Sequence, residues 1–180
     1  MLHERHGRVL RFWAVALALL GALAIAAPAS ANAPRSKAER AFLVDMVGHH
    51  AMAVDMADMA REKATHQELK DLTDDIIRTQ TAEMDQMRAW LKKWYGRTIG
   101  EDHMGHHEDM QMLEDASGPE FEVRFMAMMS VHHTQAIERA RAVRKYRLHA
   151  KDRQLTRDII RAQERESVQF QEWLVAWYAN

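Results

Sequence analysis

Apolar residues recur every three or four positions along most of the chain beyond residue 35. The clearest such stripe contains Leu69, Leu72, Ile76, Met87, Trp90 and Trp94. This period places the apolar side chains on one face of an α-helix. No stretch shows the strict alternation that is typical of a half-buried strand, so the pattern predicts an all-α protein.

Short polar signals mark where the predicted helices begin and end. Three capping boxes, in which Ser or Thr precedes Glu by three residues, stand at Ser36 with Glu39, Thr65 with Glu68, and Ser117 with Glu120. Pro119 suits the first turn of a helix, and Gly96 suits the residue just after one. The signals predict four long helices with short connections, which is the arrangement of an up-down four-helix bundle.

The chain also contains an internal duplication. An offset of 83 residues, without gaps, aligns Phe42 with Phe125, Met46 with Met129, His49-His50 with His132-His133, His66 with His149, and Trp94-Tyr95 with Trp177-Tyr178. The bundle is therefore expected to consist of two duplicated helical hairpins, at residues 36–95 and 119–178, joined by a linker at 96–118.

Residues 1–31 are expected to be a secretory signal peptide. Three arginines precede the apolar run at 12–27, and the small residues Ala29-Ser30-Ala31 follow it. Basic, apolar and A-x-A segments in this order are typical of export signals. The run is shorter than the ~20 residues of a membrane span, so an uncleaved anchor is the less favoured alternative. The domain at 32–180 is then expected in the periplasm or outside the cell.

The composition of the remaining chain excludes several classes of function. Without the predicted signal it has 22 basic and 25 acidic residues. This slight acidic excess argues against a nucleic-acid-binding protein and against a basic membrane-binding surface. The chain has no Cys, which excludes disulfides, thiolate metal sites and thiol nucleophiles. Nine His and twelve Met remain as residues that could bind soft metal ions.

Two glutamates interrupt the predicted apolar stripes. Glu83 lies within the stripe of the second helix, and Glu166 has the matching position in the last. A buried carboxylate is unfavourable unless a cation or a metal lies beside it. Counting residues along an antiparallel hairpin places His49 and Glu83 within about 3 Å of the same height. Both His pairs and both glutamates are therefore expected in one layer near the middle of the bundle.

Two methionines complete the candidate ligands of this layer. Met46 lies four residues before His50, and Met129 lies four before His133, so each shares a helix face with its histidine. Imidazole, thioether and carboxylate without thiolate favour copper in either oxidation state, with zinc, nickel or iron less favoured. The alternative is an ordinary core of hydrogen-bonded histidines and space-filling methionines. The candidate metal ligands are Met46, His49, His50, Glu83, Met129, His132, His133 and Glu166.

The linker carries a second candidate metal site. His103, Met104, His106, His107 and Met110 lie close together among acidic residues. A His- and Met-rich tract in a connecting segment suits a weak metal-collecting site. An ordinary polar connection accounts for the same residues equally well.

Two segments of the sequence resemble the motifs of a known family. They are F-L-x-D-M-x-x-H-H at 42–50 and D-I-I-x-x-Q-x-x-E-M-x-x-M-x-x-W-L at 75–91. Both are similar to the domain of unknown function 305 (DUF305) family, exported bacterial proteins of ferritin-like four-helix fold. Some members are periplasmic copper-binding proteins associated with copper resistance. The resemblance covers nearly all of the predicted mature chain and implies copper binding by the residues of the layer.

The second hairpin departs from these family motifs at several positions. Ser167 and Phe170 stand where the first hairpin has methionines, and Thr134-Gln135 follow the second His-His. The metal site of the second hairpin is therefore expected to be weaker or purely structural.

Three functions compete on this sequence. We expect a non-enzymatic protein that binds copper and buffers it or passes it on, with binding that weakens below about pH 6 as imidazoles gain protons. A metal oxidase is less favoured, and di-iron oxygen chemistry needs a Glu-x-x-His motif, which the chain lacks. An adaptor or sensor bundle with ordinary core histidines is the third. Oligomeric state and any metal-transfer partner stay open.

Overall fold

The computed structural model describes residues 36–99 and 108–179. Within these ranges it contains five α-helices and no strand. They are α1 (Lys37–Lys63), α2 (Gln67–Tyr95), α3 (Glu108–Asp115), α4 (Gly118–Val143) and α5 (Ala150–Tyr178). The all-α prediction is confirmed, and the four long helices fall in the two predicted hairpins. The predicted signal peptide lies outside the described residues.

The helices form a bundle of two hairpins. α1 packs along α2, α4 packs along α5, and the two hairpins meet mainly through α1 and α4. His49 lies against His132, and Asp45 pairs with Arg139, so α1 and α4 run antiparallel. None of the described helices has the length and apolar character that a membrane crossing requires.

The apolar core is divided into two clusters. One contains the first half of α1 and the second half of α2, including Met46, Met87 and Trp90. The other contains the second half of α1 and the first half of α4, including Met129. Between these two clusters lie the buried histidines at 49, 50, 132 and 133. The chain therefore places a polar layer across the middle of its core.

The ends of the helices match the sequence signals only in part. The Ser36 hydroxyl accepts a hydrogen bond of 2.9 Å from the backbone N–H of Glu39, and Gly96 ends α2 with a left-handed φ of 63°. The predicted cap at Thr65 is wrong: α2 begins after His66, and the Thr65 hydroxyl donates instead to Glu122. Ser117 precedes α4 without a side-chain cap.

Glu39 joins three helices at one end of the bundle. It is fully buried. Its carboxylate accepts hydrogen bonds from the backbone N–H and the Nδ1 of His149, at 2.6 and 2.8 Å, and from the Tyr95 hydroxyl at 2.5 Å. Trp94 stacks on the His149 ring with centroids 3.8 Å apart. We call Glu39, His149 and Tyr95 the first end cluster.

The duplication repeats this arrangement at the opposite end. Glu122 is also fully buried. It accepts hydrogen bonds from Thr65, from the backbone N–H and Nδ1 of His66, and from the Tyr178 hydroxyl. Trp177 stacks on His66 at 3.8 Å. We call Glu122, His66 and Tyr178 the second end cluster. The two clusters join both hairpins at their ends. The sequence alignment pairs their histidines and tyrosines, whereas the role of Glu39 and Glu122 was not predicted.

The linker contains a helix that the sequence analysis did not predict. α3 covers eight residues and is stabilised by tertiary contacts: Leu113 is fully buried. The Lys63 ammonium donates to the carbonyl of Leu113 at 3.2 Å and to that of Ala116 at 3.3 Å. The last carbonyls of a helix have no hydrogen-bond donor within the helix, and the Lys63 ammonium supplies donors to them and a favourable positive charge. The linker at 96–118 is therefore partly folded onto the bundle, at the end where the second core cluster lies.

Candidate metal centre

His49 of α1 and His132 of α4 lie face to face where the two hairpins meet. Their ring centroids are 3.6 Å apart and their planes are inclined by 31°. Both residues are buried. The offset of 83 residues aligns His49 with His132, so the two facing rings occupy equivalent positions of the predicted repeat.

The second histidine of each pair lies beside a glutamate from the neighbouring helix of its own hairpin. His50 Nε2 and Glu83 Oε2 form a hydrogen bond of 2.8 Å. His133 Nε2 and Glu166 Oε2 are 2.7 Å apart, but these two atoms lack the alignment of a hydrogen bond. Both imidazoles are fully buried, whereas the glutamate side chains are 14% and 16% exposed. The glutamates thus lie at the margin of the core rather than within it.

Several ring nitrogens of this layer are left without a partner in the protein. Both nitrogens of His132, and Nδ1 of His50 and of His133, are buried and accept or donate no aligned hydrogen bond, and the polar group beside the buried His49 ring is the side chain of Gln135. Each unpartnered buried polar group costs about 1–3 kcal/mol. Since native proteins keep few such groups, their concentration in one layer points to atoms that await a ligand.

The protonation of the central pair suits a metal ligand. Burial, followed by the nearby His50 and Arg139, lowers the pKa of His49 to about 3. Burial and the facing His49 lower the pKa of His132 to about 2. Both rings are therefore neutral at physiological pH, and neutral imidazole is the form that binds metals. The expectation that protons compete with a metal ion for the imidazoles below about pH 6 is wrong for these two residues, because a buried imidazolium is strongly disfavoured.

Two glutamines of the layer were not among the predicted site residues. Gln80 and Gln163 are 3% and 2% exposed, and both Gln80 side-chain atoms and the Gln163 oxygen have no partner. Each lies three residues before the glutamate of its helix, on the same face. The Q-x-x-E spacing in both halves was a signal from which the sequence could have identified them.

The structure does not collect all predicted ligands at one point. Met46 and Met129 are fully buried but belong to different core clusters, one on each side of the histidines. Of the predicted linker site, His103, Met104, His106 and His107 lie outside the described residues. Met110 lies in α3 and faces a cavity beside His49 and His132.

Few charged side chains of the described residues come together at one point. Among residues 36–99 and 108–179, no three His, Asp or Glu side chains converge as a metal cluster would require. The ligands that the layer offers are imidazole nitrogens, which suit copper, zinc, nickel and iron.

Comparison with known proteins identifies the family. The family model described as "Domain of unknown function (DUF305)" matches residues 39–174. The chain belongs to the DUF305 family. The resemblance noted in the sequence is thereby confirmed over nearly the whole of the described bundle.

Solved structures share the fold of this DUF305 protein. CopM in its Cu(II)-bound form is 34% identical over 78% of this chain and 97% of CopM, with a TM-score of 0.71. CopM in its Cu(I)-bound form matches at the same identity and coverage with a TM-score of 0.70. A DUF305 protein from Streptomyces coelicolor, described as secreted, is 25% identical over 77% of this chain and 93% of its own, with a TM-score of 0.71. No curated protein matches the chain.

Proposed function

We propose that this DUF305 protein binds copper, as Cu(I), in the histidine layer at the middle of its bundle. The observation that carries the proposal is the set of buried imidazoles of His49, His50, His132 and His133, in which ring nitrogens lack aligned hydrogen bonds and the facing pair, His49 and His132, is neutral. The copper-bound and silver-bound forms of the similar protein CopM support the choice of ion.

The glutamates would orient the histidines rather than bind the ion. Glu83 holds His50 through Nε2, which leaves Nδ1 free to face a metal. A carboxylate behind a ligating histidine fixes its tautomer and increases its basicity. Glu166 lies as close to His133, so the second hairpin would supply an equivalent ligand despite its departures from the family motifs.

The protein would act as a carrier or buffer of the ion and not as an enzyme. Ligands drawn from both hairpins would bind the ion inside the core. The predicted export signal would place this activity in the periplasm or outside the cell. Met46 and Met129 would line the two sides of the layer as soft, adaptable neighbours.

The test is a metal titration of the protein after export, with Cu(I) under anaerobic conditions against a competing chelator. Wild type is compared with a variant in which His49, His50, His132 and His133 are changed to Ala. His66→Gln with His149→Gln is the matched control, because it removes histidines from the end clusters and leaves the layer intact.

We expect wild type and control to bind Cu(I) tightly and the four-histidine variant to lose that binding. An unchanged number of tightly bound Cu(I) ions in the variant would contradict the site and move it elsewhere in the chain, the tract at 103–110 included. Absence of binding in wild type would contradict the function and favour an adaptor bundle. Oxygen-dependent turnover of Cu(I) above a protein-free control would instead show a metal oxidase.

A further inference from the structure

A cavity of about 560 Å³ opens beside the central histidine pair, between α1, α4 and α3. His49 and His132 form part of its wall. Its outer rim includes Asp45 and Arg139, which form an ion pair of 2.8 Å with partly exposed side chains. The cavity therefore connects the surface of the bundle with the buried rings.

Four methionines line one end of this cavity. Met52 and Met56 follow His49 on α1, Met128 precedes His132 on α4, and Met110 comes from α3. Because α1 and α4 run antiparallel with His49 against His132, the residues after His49 lie alongside the residues before His132. The other end of the cavity contains the Asp45–Arg139 ion pair.

Packing alone does not require methionine at these positions. The offset of 83 residues aligns Met52 with Gln135, Met56 with Arg139, and Met128 with Asp45, and these three partners line the same cavity. The fold thus accepts polar residues at each equivalent position. The four thioethers lie at the end of the cavity that borders the second core cluster, whereas polar residues occupy the equivalent positions at the other end.

We propose that Met52, Met56, Met110 and Met128 form a second binding site, for a soft monovalent cation such as Cu(I) or Ag(I). Thioether sulfur is a soft ligand that selects Cu(I) over hard ions. Of the described residues that line the cavity, the one carboxylate is Asp45 at the other end, where it is paired with Arg139. The cavity is larger than one ion, and the flexible methionine side chains have room to rotate toward it.

This inference deepens the proposed function and rests on it, because the cation in the cavity would be the same cargo. The cavity ion would lie next to the buried ring nitrogens of His49 and His132. Transfer between the two sites would exchange sulfur for nitrogen ligands without passing through bulk water. The methionine site is therefore placed where an ion would enter or leave the layer.

The test uses Ag(I), which binds like Cu(I) and does not change oxidation state. The exported protein, labelled with ¹³C at its methionine methyl groups, is titrated and followed by NMR, and bound ions are counted by native mass spectrometry. The test variant changes Met52, Met56, Met110 and Met128 to Leu, since Met-to-Leu exchange conserves volume. Met84→Leu with Met87→Leu is the control, because both are buried in the first core cluster, away from the cavity.

We expect the methyl signals of the four cavity methionines to shift with Ag(I), and the test variant to bind one ion fewer than wild type or control. An unchanged ion count in the test variant, together with loss of all binding in the four-histidine variant, would overturn the methionine site and leave the proposed function intact. Failure of wild type to bind Ag(I) or Cu(I) at all would overturn both.

Discussion

Glutamate–histidine pairs occur both in the middle of the bundle and at its two ends. The pairs differ in how many of their buried polar atoms have no hydrogen bond. At the ends, Glu122 collects donors from Thr65, His66 and Tyr178, and these groups satisfy its buried oxygens. In the middle, His50 bonds to Glu83 through one nitrogen while the other has no partner.

The comparison separates a structural use of these residues from a functional one. A buried carboxylate with several donors stabilises the fold and has no capacity left for a ligand. Buried imidazoles with vacant lone pairs lower stability and keep that capacity. Residue type alone does not distinguish the two uses, whereas the number of buried polar atoms that have a hydrogen-bond partner does.

One residue breaks the rule at the ends. Asp152 is fully buried beside Glu39, and its carboxyl oxygens accept no hydrogen bond, so its one polar contact is the hydrogen bond that a protonated Asp152 donates to Glu39. At the opposite end the equivalent position holds Leu69. Burial, with the neighbouring Glu39 charge, raises the pKa of Asp152 to about 8.

Asp152→Leu should give the largest change in stability and should make the two ends alike. Because the folded-state pKa is raised, the stability associated with protonated Asp152 is present below pH 3.8 and is lost as pH rises through about 8. The variant's advantage in urea midpoint should therefore grow between pH 4 and pH 8. The reverse change, Leu69→Asp, should destabilise. An advantage that does not depend on pH would show that Asp152 is not protonated in the fold.

Glu122→Gln should destabilise the metal-free protein by about 3 kcal/mol at pH 7. The neutral amide oxygen accepts hydrogen bonds from the same donors more weakly than the charged carboxylate does. Burial alone would raise the pKa of Glu122, but hydrogen bonds from Tyr178 and His66 lower it to about 2. The contribution of ionised Glu122 to the free energy of unfolding is present above pH 4.5 and disappears toward pH 2. The difference in stability between the variant and wild type should therefore vanish near pH 2. Glu166→Gln should cost far less. Equal losses in denaturant unfolding would erase the distinction between ends and middle.

Tyr178→Phe should cost about 1.5 kcal/mol, because it removes one hydrogen bond to a charged acceptor. Tyr146→Phe is the matched control, since Tyr146 is 57% exposed and should change little. Copper binding should be the same in both variants. A weaker copper affinity in Tyr178→Phe would show that the ends are coupled to the layer.

Changing His49 and His132 together to Leu should stabilise the metal-free protein by about 1 kcal/mol, because unpartnered polar groups are replaced by apolar ones. The same variant should bind Cu(I) more weakly. His66→Leu, in the second end cluster, should instead destabilise. Loss of stability in the double variant would mean that the stacked rings hold the hairpins together.

Mild acid should leave the central rings unprotonated in the folded protein. With the pKa of His49 at about 3 and that of His132 at about 2, their ring signals in the metal-free protein should not titrate between pH 7 and pH 5. Nitrogen NMR of the imidazoles measures this directly. Because the unfolded residues take up protons near pH 6.5, this pair should lower the free energy of unfolding as pH falls below that value. A midpoint near pH 6 would indicate that water reaches the rings.

The sequence predicted features that depend on local pattern or on regular geometry. Ser36 and Gly96 act within one turn of a helix, and the layer follows from the constant rise of antiparallel helices. The end clusters escaped prediction because Glu39 meets His149 across 110 residues. For the same reason the cap at Thr65 was wrong, since a carboxylate from α4 takes its hydroxyl. α3 depends on Lys63 and on burial of Leu113, and neither is a local signal.

The meeting of His49 and His132 between the two hairpins has a consequence for the repeat that the sequence predicts. A single hairpin offers only one of the two facing rings, so an ancestor of half this length could form the pair only as a dimer of identical chains. Joining two copies in one polypeptide replaces that encounter by an intramolecular one with a fixed, high effective concentration. The fusion also frees each copy to diverge, and the cavity shows the result: methionines at one end, and an aspartate, a glutamine and an arginine at the corresponding positions of the other.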